Sequence, residues 1–199
     1  MSALDSINVQ NLSVRFGNLQ VLNQFNLKIP VGSKVGLMGS SGSGKTTLLH
    51  ALMGLVKPVE GKISGIDQNI ISVVFQENRL CEQLNVIRNV LLPLDDTPEN
   101  RAKAQSLLES VGLSSDIWDR RVRELSGGMK RRVAIVRALL FPASVYLMDE
   151  PLKELDETNR DIAARCIREC TAGKTVIFST HDPDDIKRLH ADLLINLDS

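Results

Sequence analysis

The sequence predicts an α/β fold: a single domain over residues 1–199 with a mixed, mostly parallel sheet core, an N-terminal antiparallel β subdomain and an inserted α-helical subdomain. Three observations carry this. Short apolar runs recur at Lys34–Met38, Val73–Phe75, Ser144–Met148, Lys174–Ser179 and Leu193–Leu197, separated by turn residues or helical periodicity, as buried strands alternating with helices are. Alternating segments Ile7–Phe16 and Gln20–Ile29 flank Gly17 and Asn18 and read as antiparallel strands. Between Phe75 and Leu125 the apolar spacing turns helical, at Asn85–Leu92 and Glu99–Gly112. Residues 1–75 and 141–199 are therefore assigned to the core with its antiparallel part, and residues 76–140 to the helical insertion.

Taken in order, Pro30 through Ser33 form a turn, and Lys34–Met38 is short and apolar enough for a buried strand. A glycine-rich stretch follows, and then Lys45–Met53 with helical periodicity. Thr97 followed by Pro98 is a cap with proline in the first turn. In Lys130–Leu140, Val133, Ala134, Val136 and Leu140 are expected to face the core and Lys130, Arg131 and Arg132 to face water. Asp182 and Pro183 open the last helix, where Asp182, Asp184 and Asp185 complement the helix dipole without requiring a metal.

The chain holds 199 residues, 43% of them hydrophobic and 24% charged, enough for one substantial core. Lys plus Arg and Asp plus Glu are both 24, so no net charge marks a nucleic-acid partner, and none is expected. The first residues lack an export signal and no apolar run is long enough to cross a bilayer, which predicts a cytoplasmic protein. Cys81, Cys166 and Cys170 lack zinc-site spacing and are expected to be reduced thiols, Cys166 and Cys170 packing on one helical face. His50 is expected to pack on a helix and His190 to lie on the surface.

The chemistry begins at Gly39, Ser40, Ser41, Gly42, Ser43, Gly44, Lys45, Thr46 and Thr47, which match G-x-x-x-x-G-K-[ST]. In such a loop glycines expose backbone N–H groups, lysine reaches the outer phosphates and the hydroxyl holds magnesium. A serine-glycine linker has the same composition. The strand before the loop and the helix after it favour phosphate, because a helix N-terminus presents free N–H groups and a positive dipole end. ATP with Mg²⁺ is the expected ligand.

Val145–Met148 leads into Asp149 and Glu150, placing two carboxylates at the carboxyl end of a buried strand, where open α/β sheets bind ligands. Asp149 suits magnesium and Glu150 suits the water that attacks a terminal phosphate. Carboxylates at a strand end are often structural; their pairing with the phosphate loop points to chemistry. Leu125 through Met129 put Ser126, Gly127 and Gly128 at an exposed helix start, fit for ordinary capping or for a phosphate.

Phosphate loop, Gln76, the Leu125–Met129 run, Asp149-Glu150 and His181 occur in the order seen in ATP-binding-cassette (ABC) ATPases, which this chain resembles over essentially its whole length. The resemblance implies a P-loop NTPase in which Phe16, with Val21 nearby, stacks on adenine; the plainer alternative is a buried strand phenylalanine. It implies that Lys45 and Thr46 bind phosphate and metal, and that Gln76 contacts metal and water and links them to the transport partner. It further implies Asp149 on Mg²⁺, Glu150 as the catalytic carboxylate and His181 as the sensor of the γ-phosphate. Ser126, Gly127 and Gly128 would contact the ATP of a second cassette, identical or not, packed head to tail, and Asp156 would lie in the dimer loop.

Met129 departs from the family's usual glutamine, and Leu152 through Asp156 carry Lys153 and Glu154 where small residues are commoner. For Lys153, pairing across the interface and simple solvation stay open. The resemblance implies a subunit on the cytoplasmic face of the cell membrane that powers transport through separate permease subunits, with residues Glu77–Val90 on the docking surface and a solute-binding protein if it is an importer. Residues 75–80 and 149–157 are most similar to the nitrate, sulfonate and taurine importer branch. The short stretch after His181 implies no carboxyl-terminal regulatory domain. The alternative is a cassette acting on nucleic acid or ribosomes, against which stand the missing coiled-coil insertion and the single phosphate loop.

Overall fold

The computed structural model describes residues 6–198. Strands β1 (Ser6–Phe16) and β2 (Leu19–Pro30) pair antiparallel, with Phe16 opposite Leu19 across the Gly17-Asn18 turn. Their inward residues Ile7, Val9, Leu12, Val14 and Ile29 are buried, the alternation that made the segments legible. Strand β3 is Lys34–Met38, followed by helix α1, Lys45–Leu52. Strand β4, Glu60–Ser64, was not foreseen: with Glu60, Gly61 and Lys62 it shows no apolar alternation, yet it pairs with the free edge of β1. Gly61 makes this approach possible. Its φ is 85°, and a Cβ there would stand 2.3 and 2.4 Å from the carbonyl oxygens of Asn11 and Gln10.

Strands β5 (Ile71–Val74), β6 (Val145–Asp149), β7 (Thr175–Ser179) and β8 (Leu193–Asn196) join β3 in a second sheet of order β5-β6-β7-β3-β8. All its pairings are parallel. The antiparallel and parallel parts thus segregate into two sheets, the first in the order β2-β1-β4. Every residue of β6 and β7 is buried, which is why they read as continuous apolar runs and not as alternation. One apolar cluster joins the two sheets through α1 by way of Leu22, Ile29, Leu37, Leu48, Leu52 and Leu147.

The second cluster lies on the other side, under α2 (Val86–Leu91), α3 (Pro98–Ser110), α4 (Gly127–Leu140) and α5 (Glu157–Cys170). These helices, and α6 (Pro183–Arg188), begin on side-chain caps: Asn85, Thr97, Ser126, Asp156 and Asp182. Met129 packs against this cluster, so the departure from glutamine contributes apolar contact. On α5 the sulfurs of Cys166 and Cys170 lie 4.0 Å apart, while Cys81 is exposed. His50 is half-buried and His190 exposed.

Arg131 corrects the sequence reading. Expected in water, it is 1% exposed, and its guanidinium fills the space between the ends of β5 and β6. It donates to the carbonyl oxygens of Phe75 (2.6 Å), Asp149 (2.7 Å), Glu150 (2.6 Å) and Pro151 (3.0 Å) and to Asn78 Oδ1 (3.1 Å). Helical periodicity sees a charge beside other charges; it cannot see carbonyl groups that two distant strand ends leave unpaired.

Candidate functional site

The chain segments leaving β3, β5, β6 and β7 open at the carboxyl edge of the parallel sheet, and a cleft of about 580 Å³ forms there. Ser41, Gly42, Gly44, Lys45, Thr46, Thr47, Gln76, Asp149, Glu150 and His181 line it, with Phe16 and Val21 from the antiparallel sheet. Leu19, which the sequence did not single out, joins them. Phe16 is 51% exposed, which rules out the buried-strand alternative and leaves its ring bordering the cleft.

The loop is shaped by its glycines. Gly44 caps α1 at φ 100° with no side-chain cap, and a Cβ on it would lie 2.9 Å from Leu22 Cδ2. The start of α1 is thus kept free of the Asn, Asp, Ser or Thr oxygens that begin the other helices, and its N–H groups remain available to an anion. The Lys45 ammonium donates to the carbonyl oxygens of Gly39 and Ser40, both at 2.7 Å. Gly39, Ser40 and Ser43 do not line the cleft. Ser40 instead donates its N–H and hydroxyl to Asp198, whose carboxyl these bonds hold below the usual range.

At the ends of β6 and β7 the polar groups interlock. Thr46 Oγ1 donates to Asp149 Oδ2 at 2.7 Å, and Ser179 donates its hydroxyl to Asp149 Oδ1 while accepting from the Glu150 N–H at 2.9 Å. Asp149 is 3% exposed, so its oxygens are fixed in direction by these neighbours. Glu150 sits at φ 48°, a left-handed conformation that turns its side chain into the cleft. Its Oε1 lies 3.2 Å from His181 Nδ1 and its Oε2 lies 3.0 Å from Lys153 Nζ. Burial raises the Glu150 pKa, but Lys153 and then His181 outweigh it, and the carboxyl is held below its ordinary value. Lys153 stays partly solvated, its side chain 40% exposed, and within its own chain it pairs with Glu150.

Thr46, Asp149 and Gln76 line the same cleft, with Thr46 and Asp149 in contact, and their hard oxygen donors fit a cation such as Mg²⁺. Ser126, Gly127, Gly128 and Asp156 stay outside the cleft. Ser126 Oγ accepts from Met129 N–H, Gly127 and Gly128 lie against Glu154, and Asp156 caps α5 through Asn159. Sequence reasoning missed Ser179 and Asp198 because their roles rest on contacts thirty or more residues apart along the chain.

Residues 22–153 match the family model for ABC transporter proteins. The chain is 36% identical over 205 residues to the probable sulfate/thiosulfate import ATP-binding protein of Chlorella vulgaris, covering 96% of this chain and 86% of the relative. It is 39% identical over 198 residues to an aliphatic sulfonates import ATP-binding protein of Rhodococcus jostii, covering 97% and 79%. Other relatives are longer: the chain spans 60% of the sulfate/thiosulfate import ATP-binding protein of Nephroselmis olivacea. A solved dimeric ATP-binding cassette in a post-hydrolysis state, bound to ADP and Pi, superposes with TM-score 0.86 at 29% identity, covering 96% of this chain and 93% of that one.

Proposed function

The chain belongs to the ABC transporter family, and on that premise we propose that it is the ATP-binding and ATP-hydrolysing subunit of a solute importer. The observation that carries this is the convergence of Lys45, Thr46, Gln76, Asp149, Glu150 and His181, drawn from four separate strand ends, on one cleft beside an uncapped helix start. In this reading Phe16 and Val21 receive the adenine, and the phosphates lie on the N–H groups of Ser41, Gly42 and Gly44 to Thr47, with Lys45 exchanging its loop carbonyl partners for phosphate oxygen. Thr46, Asp149 and Gln76 hold Mg²⁺, which supplies charge stabilisation at the phosphates.

Glu150 orients and polarises the attacking water. Its ionised state suits it to accept a hydrogen bond from that water, and His181 steadies it from Oε1. Ser126, Gly127 and Gly128 serve the nucleotide of a second cassette. Within one chain they do not line the cleft, in keeping with a head-to-tail pair in which ATP lies between subunits. Loss of γ-phosphate contacts on hydrolysis then weakens the pair.

Among the described residues no helix is long and apolar enough to cross a membrane, and in this reading permease subunits supply the span. Their docking surface adjoins Gln76. Residues 76–83 are largely exposed, whereas Val86, Ile87, Asn89 and Val90 are buried, which narrows the surface expected over Glu77–Val90 to its first half. A groove of about 400 Å³ beside it, walled by Val73, Phe75, Leu92, Pro93 and Phe141, suits an amphipathic segment of the permease. The subunit then works at the cytoplasmic face of the membrane, with a solute-binding protein delivering a sulfate- or sulfonate-like solute, as the names of the relatives suggest.

Calorimetry of the folded chain with Mg²⁺ tests the reading. ATP and ADP uptake is expected, with Lys45→Ala removing most of it; no uptake of either nucleotide by the wild-type chain overturns it.

A further inference from the structure

We propose that Lys153 is a further ligand of the terminal phosphate, a cation that leaves Glu150 for the γ-phosphate when ATP binds and so makes the cleft distinguish ATP from ADP. The proposal rests on the reading of the cleft as an ATP site. It begins with a turn. After β6 the chain reverses over Glu150–Glu154, with both ends at positive φ, 48° and 64°, and the Lys153 N–H donating to the Glu150 carbonyl at 3.1 Å. Leu152 and Leu155 are buried beneath the turn, Pro151 is pinned by Arg131, and Glu154 lies over Gly127. With its neighbours committed, Lys153 is the residue of the turn whose side chain enters the cleft together with Glu150.

Charge explains what it does there. The charged side chains lining the cleft are Lys45 and Lys153 against Asp149 and Glu150, with His181 at the rim. Lys45 is folded onto its own loop. Among the described residues, Glu150 Oε2 is buried and accepts no aligned hydrogen bond, and the charge facing it is the Lys153 ammonium at 3.0 Å. This ion pair is one-sided: the Lys153 side chain is 40% exposed and that of Glu150 15%. A pair with one half in water is weak and easily exchanged. A terminal phosphate arriving beside Glu150 sets two like charges together, and a flexible ammonium already between them lowers that repulsion and gains a charge-assisted hydrogen bond. ADP brings no such group, so the ammonium stays with Glu150.

The test compares binding of a non-hydrolysable ATP analogue and of ADP, each with Mg²⁺, by calorimetry on wild type, Lys153→Met and Lys153→Arg. The Met variant is expected to lose about tenfold or more in affinity for the ATP analogue, with ADP affinity unchanged within about twofold and the Arg variant close to wild type. Because Lys153 is well exposed, thermal unfolding without nucleotide should be nearly the same in all three. If Lys153→Met leaves the ratio of the two affinities unchanged, or lowers both equally, or merely speeds hydrolysis at saturating ATP, the proposal is overturned. Failure of the wild-type chain to bind either nucleotide overturns instead the reading of the cleft itself.

Discussion

Replacing Arg131 with methionine should both destabilise the chain and slow hydrolysis, and the size of the first effect follows from its surroundings. The side chain makes hydrogen bonds shorter than 3.2 Å to five acceptors, four of them carbonyl oxygens of Phe75, Asp149, Glu150 and Pro151. Stranding each acceptor costs roughly 1–3 kcal/mol, and the low end applies because a carbonyl oxygen has a second lone pair. Against this stands the cost of burying the cation: burial pushes its pKa from 12.5 down to about 10, with Glu154, Asp149 and Glu150 pulling the other way. That shift corresponds to about 3 kcal/mol, which the variant no longer bears. The balance is a loss of about 2–5 kcal/mol, in keeping with the removal of one partner from a buried charge network. For a domain of this size it lowers Tm by roughly 4–20 °C. Thermal unfolding followed by circular dichroism reads it. Hydrolysis, measured well below the lowered Tm, should fall in kcat more than in KM, because Phe75, which precedes Gln76, and Glu150 lose their common anchor. A Met variant that melts within about 2 °C of wild type and keeps its kcat would refute the claim that these bonds hold the site together.

Further outcomes follow from the same structure. Glu150→Gln should retain nucleotide and accumulate a dimer at saturating Mg-ATP, seen by size-exclusion chromatography; a variant that stays monomeric there counts against head-to-tail pairing. Thr97→Ala removes the cap of α3 and should cost about 1 kcal/mol, read from the urea midpoint. Brief maleimide treatment should label Cys81 first and leave buried Cys166 untouched until the chain unfolds, as peptide mass mapping would show. The Asp182 carboxyl is held below its usual range by the Asp184 N–H and then by Arg160. Its charge therefore stabilises fully above about pH 4 and is lost as pH falls through the folded pKa, so the Tm gap between wild type and Asp182→Asn should be widest near neutrality and close below about pH 4.

Local chemistry was legible wherever one short stretch contains its own reason. Gly39–Thr47 announces an anion loop because its glycines and its Lys-Thr pair are contiguous, and β6 and β7 announce themselves because both faces are buried. Helix starts at Thr97 and Asp182 were equally plain, since a cap and the N–H that donates to it lie within three residues. Strand β4 was hidden because its partner is fifty residues away and its own composition is polar. Arg131 looked like any other solvated charge on α4.

By itself, then, the order of residues singled out Lys45, Thr46, Asp149 and Glu150 as groups of the proposed ATP site and placed the two carboxylates at the end of a buried strand, where the structure has them. Only the tertiary structure decided how those groups are held: Arg131 beneath the ends of β5 and β6, Ser179 against Asp149, Asp198 on the phosphate loop and Lys153 on Glu150. The physical reason is that helix and strand periodicities record which face of an element is buried, whereas the partner of a charge is set by where distant chain ends leave hydrogen-bonding groups unpaired.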